Sequence, residues 1–405
     1  MSNHNEIASP EGLVNNLVHY KSEMVAVRHA IHAHPEVGFQ ETKTAALVAA
    51  SLHEWGLDVR QGIGGTGIVA SLRGTNPGNK AIGLRADMDA LHIQEIEGRP
   101  HRSQVRGKMH ACGHDGHTAM LLGAAHYLSN HRSSFAGEVV FIFQPAEEVL
   151  AGARRMIDDG LFDRFPIDAV YGMHNMPGIP AGEFRVRSGP SMAASDTWSV
   201  TFLGTGGHGG AGAHLAKDPT LPAAHFVLAI QTIVSRNVMA TDTAVVSVGS
   251  IAGGEAGSPN VIPTEVTITG TARCFSESVR DLIERRLGEI ADAQALAFGC
   301  RAEICHTRLC PPRVSDPEAT TRSENAATAL VGAARVGPAA LMTGSEDFSF
   351  MLEACSGSFI LIGNGTDKDG NFDALHTPSY DFNDDILPLG AAYWVSLVQQ
   401  ELPPR

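Results

Sequence analysis

The chain has 405 residues, which is longer than a single hydrophobic core usually grows, so two domains are expected. Hydrophobic residues make up 43% and charged residues 18%, as in ordinary globular proteins. The formal charge of −14 argues against nucleic acids and anionic membrane surfaces as partners, because both attract basic surfaces.

The lack of a recognisable targeting signal and the scattered cysteines predict a cytoplasmic protein. The first dozen residues (MSNHNEIASPEG) are polar and lack the basic and apolar regions of a secretory signal. Apolar stretches are interrupted well short of the roughly 20 residues that a bilayer span needs. The cysteines are too scattered for a disulfide framework, so a reducing compartment is expected. They are Cys112, Cys274, Cys300, Cys305, Cys310 and Cys355.

The first half of the chain alternates between helical and strand patterns. Helices are expected over residues 13–55 (with a break at 34–36), 118–131 and 152–160, and buried strands over 81–85 and 139–143. Strands that alternate with helices predict an α/β layer fold with a largely parallel sheet.

A glycine motif in this half resembles a dinucleotide fingerprint. Gly62, Gly64 and Gly67 match G-x-G-x-x-G, but that fingerprint needs a following helix whose N-terminus meets the pyrophosphate. The residues that follow, Ile68-Val69-Ala70-Ser71-Leu72, are typical of a strand. A glycine-rich hairpin is therefore the better prediction.

From about residue 187 the pattern changes to a β-α-β-β-α-β order. Strands are expected over 197–203, 243–251, 266–273 and 301–307, and helices over 218–238 and 276–298. This order is typical of the ferredoxin-like, split βαβ arrangement. We therefore predict a second domain over residues 188–305, inserted into a first domain made of residues 1–187 and 306–405.

The segment His110-Ala111-Cys112-Gly113-His114-Asp115-Gly116-His117 concentrates potential metal ligands. Thiolate and imidazole suit Zn²⁺ and similar divalent ions. Cys112 and His114 are two positions apart, so on an extended loop they can face the same side. A glycine- and histidine-rich loop with a free thiol is the alternative, because two ligands in one loop still need partners elsewhere.

Possible partners follow other strands. Glu147 and Glu148 come just after the strand predicted over 139–143, and His174 follows another short apolar run. His376 lies in a loop near the C-terminus. Adjacent carboxylates suggest divided roles, one binding metal and one carrying protons, although a solvated acidic pair at a helix start fits equally well. Single histidines are more often structural than functional.

Five segments strongly resemble the M20 family of metallopeptidases, specifically its aminoacylase/hippurate hydrolase branch. They are residues 85–91 (RADMDAL), 110–120 (HACGHDGHTAM), 143–148 (FQPAEE), 344–348 (GSEDF) and 375–382 (LHTPSYDF). The resemblance implies a catalytic α/β domain with an inserted ferredoxin-like lid that commonly dimerises. It also implies a homo-oligomer that acts on a small-molecule substrate.

The resemblance assigns roles to individual residues. Glu147 would be the general base. Asp87 would orient a metal ligand without itself binding the metal. Two divalent ions per subunit are implied, Zn²⁺ or Mn²⁺ with Co²⁺ or Ni²⁺ as alternatives. Their implied ligands are Cys112, His114, Glu148, His174 and His376.

Three lid residues also match the family. His208, in Gly206-Gly207-His208-Gly209, would stabilise the oxygen of the reacting carbonyl, while Asn260 and Arg273 match positions that bind the substrate carboxylate. Arg273 could equally be an ordinary charge at a strand end. The segment 210–214 departs from the family, since it carries one extra residue and lacks the usual Pro. Substrate preference is therefore open.

The implied reaction is hydrolysis of an amide bond. The ions would acidify a water and polarise the carbonyl, and Glu147 would move the proton to the leaving nitrogen. We expect N-acyl or N-aroyl amino acids as substrates. A related hydrolase acting on a dipeptide or an aromatic amine, and a non-catalytic metal-binding scaffold, are the alternatives.

Overall fold

The computed structural model describes residues 10–404. The strands are β1 (Asp58–Ile63), β2 (Gly67–Arg73), β3 (Asn76–Asp87), β4 (Ala136–Gln144), β5 (Ala169–Pro177), β6 (Phe184–Val186), β7 (Gly189–Met192), β8 (Ala194–Leu203), β9 (Gly207–His208), β10 (Ala244–Ala252), β11 (Val261–Ile262), β12 (Glu265–Cys274), β13 (Arg301–Cys310), β14 (Arg313–Ser315), β15 (Val336–Pro338) and β16 (Gly357–Gly365). The α-helices are α1 (Pro10–Val18), α2 (Lys21–Ala33), α3 (Thr42–Glu54), α4 (His114–Asn130), α5 (Gly152–Asp158), α6 (Leu161–Arg164), α7 (Thr220–Ala229), α8 (Glu277–Ala297), α9 (Pro317–Val331), α10 (Phe348–Ala354) and α11 (Leu387–Glu401).

The chain divides into two compact units. The larger unit includes described residues 10–189, 314–340 and 346–404, and the smaller one includes 190–313 and 341–345. An eight-stranded sheet of order β1-β2-β4-β3-β5-β16-β6-β15 forms the centre of the larger unit. The neighbouring strands β4, β3, β5 and β16 are parallel. The predicted α/β fold with a mostly parallel sheet is confirmed.

The core of the larger unit explains why its central strands are apolar throughout. α4 packs on β3, β4 and β5, and α11 packs on both β3 and α4. Leu84, Phe141, Leu121 and Trp394 are buried in this core. Parallel strands covered on both faces need continuous apolar sequence rather than alternation.

The carboxyl ends of the central strands meet at one edge of the sheet. β3 ends at Asp87, which pairs with Gln144 at the end of β4. β5 carries His174 near its carboxyl end, and β16, parallel to β5, precedes the segment that leads to His376. Open α/β sheets form their ligand sites at this edge.

Two local predictions for this unit have different outcomes. The glycine-rich hairpin is confirmed, because β1 and β2 pair antiparallel across it. The helix predicted from residue 118 instead begins at His114. Gly113 has φ 98°, a left-handed conformation that glycine adopts readily, and this turn lets the helix start four residues earlier.

The smaller unit has the predicted ferredoxin-like arrangement. β8, α7, β10, β12, α8 and β13 follow one another along the chain, and the four strands form an antiparallel sheet of order β10-β12-β8-β13. Trp198, Phe202, Phe226, Ile268 and Ile283 are buried in its core. The helix predicted over 218–238 is wrong in extent, because α7 ends at Ala229 and a π-helical turn covers Ile233–Asn237.

None of the helices formed by residues 10–404 is long and apolar enough to cross a membrane.

Candidate metal centre

Cys112 lies at the centre of one group of potential ligands. Its Sγ atom is 3.3 Å from Nε2 of His174 and 3.4 Å from Nε2 of His376. The same nitrogen of His376 lies 3.4 Å from Oε1 of Glu148. Residues from four separate segments of the chain therefore present a thiol, two imidazoles and a carboxylate to one small volume.

His114 faces the adjoining group of carboxylates. Its Nε2 lies 3.7 Å from Oδ2 of Asp87 and 3.9 Å from both Oε2 of Glu147 and Oε1 of Glu148. This nitrogen is buried and has no hydrogen-bond partner among the residues described. A buried polar atom without a partner is costly and calls for an explanation. A cation bound between these side chains would provide one.

Hydrogen bonds on the far side of two imidazoles orient them. Nδ1 of His174 donates to the carbonyl oxygen of Asn175 at 2.5 Å. Nδ1 of His114 is 3.3 Å from Oδ1 of Asp89, to which it can donate. With a cation bound, each ring would be neutral with its proton on Nδ1, and the lone pair of Nε2 would point into the cluster, as in histidine ligands of metals.

His117 supports the cluster rather than joining it. Its Nδ1 donates to Oδ1 of Asp87 at 2.6 Å, and its Nε2 accepts from the backbone N–H of Asn175 at 3.0 Å. Because both ring nitrogens are used, His117 has no free lone pair for an ion. The carboxylate of Asp87 therefore contacts His117 directly while its other oxygen faces His114.

A buried arginine balances part of the negative charge beside the cluster. The fully buried guanidinium of Arg85 donates to Oδ2 of Asp87 at 2.6 Å, to Oε1 of Glu346 at 2.8 Å and to Oε1 of Gln144 at 2.8 Å. Burial lowers the pKa of Arg85, but the carboxylates of Glu346 and Asp87 outweigh this and raise it, so the side chain stays charged.

The electrostatic environment of the cluster favours a cation. Burial raises the pKa of Glu147 well above its ordinary value, and the carboxylates of Glu346 and Glu148 raise it further. Burial and the charge of Glu148 likewise raise the pKa of the Cys112 thiol. Burial lowers the pKa of His114, but nearby carboxylates, above all that of Asp87, outweigh it and raise the pKa to about 10.

The donor set fits divalent metal ions. Thiolate, imidazole and carboxylate together suit borderline ions such as Zn²⁺, and the unpartnered Nε2 of His114 needs a positive neighbour. Among the groups of three side chains whose potential ligand atoms lie close enough to share an ion, two contain Cys112, namely Cys112 with His114 and His174, and Cys112 with Glu148 and His376. The five residues expected as ligands from the sequence thus lie close together.

Three non-glycine residues around the cluster have left-handed backbones. Ala146 has φ 54°, Leu150 has φ 54° and His376 has φ 62°. Such conformations are unfavourable for residues with a Cβ atom, and they persist where surrounding contacts enforce them. The loop that carries Glu147 and Glu148 is therefore held in a specific, strained shape.

Two of the expected lid residues lie together in the smaller unit. β9 and β11 pair so that Val261 lies opposite His208, and the N–H of Gly209 donates to the carbonyl of Asn260 at 2.7 Å. Arg273 is distant from them. β12 begins at Glu265, three residues after the end of β11, and Arg273 lies eight positions further along β12, about 27 Å in an extended strand.

Residues that sequence analysis did not select also contact the cluster. Both oxygens of Asp89 accept backbone N–H groups, from Glu147 and Glu148, each at 3.0 Å. Asp89 stands two positions after Asp87 in the RADMDAL segment, so that segment offered a signal. Nothing in the local pattern around Arg85 shows that it pairs with a carboxylate 261 positions away.

We expect Gly113→Ala to lower the free energy of unfolding by about 2–5 kcal/mol, combining left-handed strain with overpacking. A Cβ atom at this position would lie 2.2 Å from Oδ1 of Asn175 and 2.6 Å from the hydroxyl of Tyr380. Gly107→Ala is the matched control, since Gly107 has φ 74° and open space around it. Urea denaturation of both variants checks this, and equal losses would show that the clash is unimportant.

A parallel-sheet edge with clustered thiol, imidazole and carboxylate ligands defines a metal-binding α/β enzyme. The profile of Peptidase family M20/M25/M40 matches residues 83–400, and the chain belongs to that family. It is a metal-dependent amidohydrolase, an enzyme that hydrolyses C–N bonds.

Individual relatives cover nearly the whole chain. A hippurate hydrolase of Campylobacter jejuni is 40% identical over 96% of this chain and 99% of its own length. An N-acetyl-L-cysteine deacetylase of Bacillus subtilis is 38% identical over 94% of this chain and 88% of its own. The crystal structure of the B. subtilis YXEP protein, described as a dinuclear metal-binding peptidase from the M20 family, has a TM-score of 0.83 and 30% identity, covering 96% of this chain and all of that one.

Proposed function

We propose that the chain hydrolyses the amide bond of N-acyl or N-aroyl amino acids to a carboxylic acid and an amino acid. The observation that carries this proposal is the position of Glu147, a buried carboxylate 3.9 Å from the unpartnered nitrogen of His114 and beside the ligand cluster. The similarity to a hippurate hydrolase and to an N-acetylcysteine deacetylase supports this substrate class.

We assign the metal ligands to Cys112, His114, Glu148, His174 and His376. Two divalent ions would be held among these side chains, and Cys112 belongs to two of the groups of potential ligands. Zn²⁺ or Mn²⁺ suits the mixed donors best, and Co²⁺ or Ni²⁺ would also fit. Ions bound there supply a Lewis acid that polarises a carbonyl and makes a water more acidic.

Glu147 acts as the proton carrier. It accepts the proton of the attacking water and later delivers it to the leaving nitrogen. Burial and the neighbouring carboxylates raise its pKa, which suits a group that must hold a proton between the two steps. Asp89 holds the backbone of Glu147, and Asp87 holds His117 behind the ligands.

We propose that His208 donates a hydrogen bond to the developing oxyanion. Its Nδ1 accepts from the N–H groups of Gly210 and Ala211, each at 3.1 Å. With Nδ1 as acceptor, the neutral ring carries its proton on Nε2, which is then free to donate. The glycine-rich segment that departs from the family pattern thus provides the bonds that select this tautomer. Asn260, which lies beside His208, is assigned to binding the substrate carboxylate. Arg273 is assigned to the same role for a substrate whose carboxylate reaches the far end of β12.

His208→Ala should lower kcat by about 10²–10³-fold, the usual effect of losing an oxyanion donor. Bound metal should be unchanged, because none of the proposed ligands is altered. His214→Ala is the matched control, since His214 is exposed in the same segment and has no assigned role. Steady-state kinetics with elemental analysis check this. Unaltered kinetics would leave His208 as an ordinary lid residue.

A dipeptidase activity is the second candidate. It is favoured by the similarity to the YXEP protein, which is described as a peptidase, and by the altered segment after His208. Metal-loaded protein should be assayed against hippurate, N-acetyl amino acids, dipeptides and an aromatic amine. We expect the highest kcat/KM with an N-acyl or N-aroyl amino acid. A dipeptide or the amine as the best substrate would contradict the proposal.

We further propose a cytoplasmic homo-oligomer that assembles through the smaller unit. β10 is an edge strand without a charged residue (AVVSVGSIA), and unprotected edges of this kind pair readily with a second copy. All six cysteines are free thiols, which supports a reducing compartment.

A further inference from the structure

Glu41, at the start of α3, is a fully buried carboxylate that contacts the loop of the metal centre. One of its oxygens, Oε1, accepts from the N–H of Ala146 at 2.8 Å and from the N–H of Phe39 at 3.0 Å. The other oxygen accepts from the hydroxyl of Thr66. Glu41 therefore joins three separate segments, and one of them immediately precedes Glu147.

Two buried carboxylates together hold three consecutive backbone N–H groups. Ala146 donates to Glu41, while Glu147 and Glu148 donate to Asp89. Ala146 is also the residue with φ 54°, a conformation that an alanine adopts only when its surroundings enforce it. The bond from Glu41 acts directly on this peptide group, so it fixes the backbone angle from which the Glu147 side chain leaves.

The position of Glu41 is itself well determined. The carboxylate of Glu36 accepts from the N–H groups of Lys43 and Thr44, which caps the start of α3 next to Glu41. The carbonyl of Glu36 accepts from the N–H of Ala90 at 2.8 Å, one residue after Asp89. The segments that carry the two supporting carboxylates are thus bonded to each other.

We propose that Glu41 is a positioning residue for Glu147, holding Ala146 in its left-handed conformation so that the Glu147 carboxylate points into the cluster. This inference rests on the proposed role of Glu147 as proton carrier. The function of Glu41 depends on the length of its side chain and on its ability to accept hydrogen bonds, and its negative charge is not required.

Two conservative variants separate reach from charge. Glu41→Gln keeps the chain length, and its carbonyl oxygen can still accept from Ala146 while its amide faces the Thr66 hydroxyl, which can also accept. Glu41→Asp keeps the charge but is one methylene too short to reach Ala146 and Thr66 together. We expect kcat to fall about 10–100-fold in Glu41→Asp, with KM nearly unchanged, and to fall less than about threefold in Glu41→Gln.

Ala146→Gly tests the mechanism further, because glycine adopts positive φ without a Cβ penalty. Adding it to Glu41→Asp should reverse at least about half of the increase in activation free energy that Glu41→Asp causes. If Glu41→Asp does not fold, Thr66→Val serves instead, since it frees the second carboxylate oxygen and should lower kcat several-fold. The assays use metal-loaded protein of verified metal content, at a temperature where circular dichroism shows each variant to be folded.

The outcomes are distinct. An inactive Glu41→Gln beside an active Glu41→Asp would show that charge matters, and it would overturn the proposal. So would full activity in Glu41→Asp, or in Thr66→Val where that variant is needed, or a double variant as slow as Glu41→Asp alone. Glu147→Gln is run in parallel: if it is fully active, the role of Glu147 fails, whereas an inactive Glu147→Gln with a fully active Glu41→Asp rejects only the role of Glu41.

Discussion

Glu147→Gln is expected to lower kcat by about 10²–10⁴-fold, the usual contribution of a positioned general acid–base group. The amide has nearly the same shape as the carboxylate, but it cannot take the proton of the attacking water. Metal content should stay at the wild-type level, because the proposed ligands are intact. Steady-state kinetics and elemental analysis of the same preparation provide the measurement.

Glu138→Gln is a suitable control for this prediction. Glu138 lies on β4, the strand that leads to Glu147, and pairs with Arg73 at the protein surface. Surface ion pairs of this kind contribute little to stability, so both kcat and metal content should be unchanged. Wild-type turnover in Glu147→Gln would mean that another group carries the proton.

The second large effect is expected for Cys112→Ser, which should lose metal. Cys112 belongs to both groups of potential ligands, and its thiol lies within 3.4 Å of two imidazole nitrogens. A serine hydroxyl at this position is a much weaker ligand than a thiolate. We expect the affinity for Zn²⁺ to fall at least about 100-fold, the upper end of the effects seen for supporting residues of metal sites.

Elemental analysis after dialysis against a chelator measures this effect. Cys355→Ser is the matched control, since Cys355 is a free, partly buried thiol of the same unit that contacts the carbonyl of Ile167. It should retain the full metal content. Equal retention by Cys112→Ser would remove Cys112 from the ligand set.

Much of the fold could be predicted from local patterns. The apolar runs within β3 and β4 are long enough to require burial on both faces, and the strand that follows the glycines of residues 62–67 argues against the dinucleotide motif. The β-α-β-β-α-β order of the smaller unit is visible because each element has its own periodicity. The start of α4 was missed, since φ 98° at Gly113 depends on the contacts around it.

The sequence by itself determined the fold class, the family and the residue types that gather at the metal centre. Short segments encode these properties, and each segment can be recognised from its own residues, without knowing where the rest of the chain lies. The ligand types in HACGHDGH and the paired carboxylates 147–148 are properties of this kind.

Only the tertiary structure decided which carboxylates support the centre. Asp89 bonds to Glu147 and Glu148, Glu41 bonds to Ala146 across 105 positions, and Arg85 reaches Glu346 across 261. Each of these bonds depends on where two distant segments meet at the sheet edge. A hydrogen bond needs its two atoms within about 3 Å, and no local pattern of residues encodes that distance.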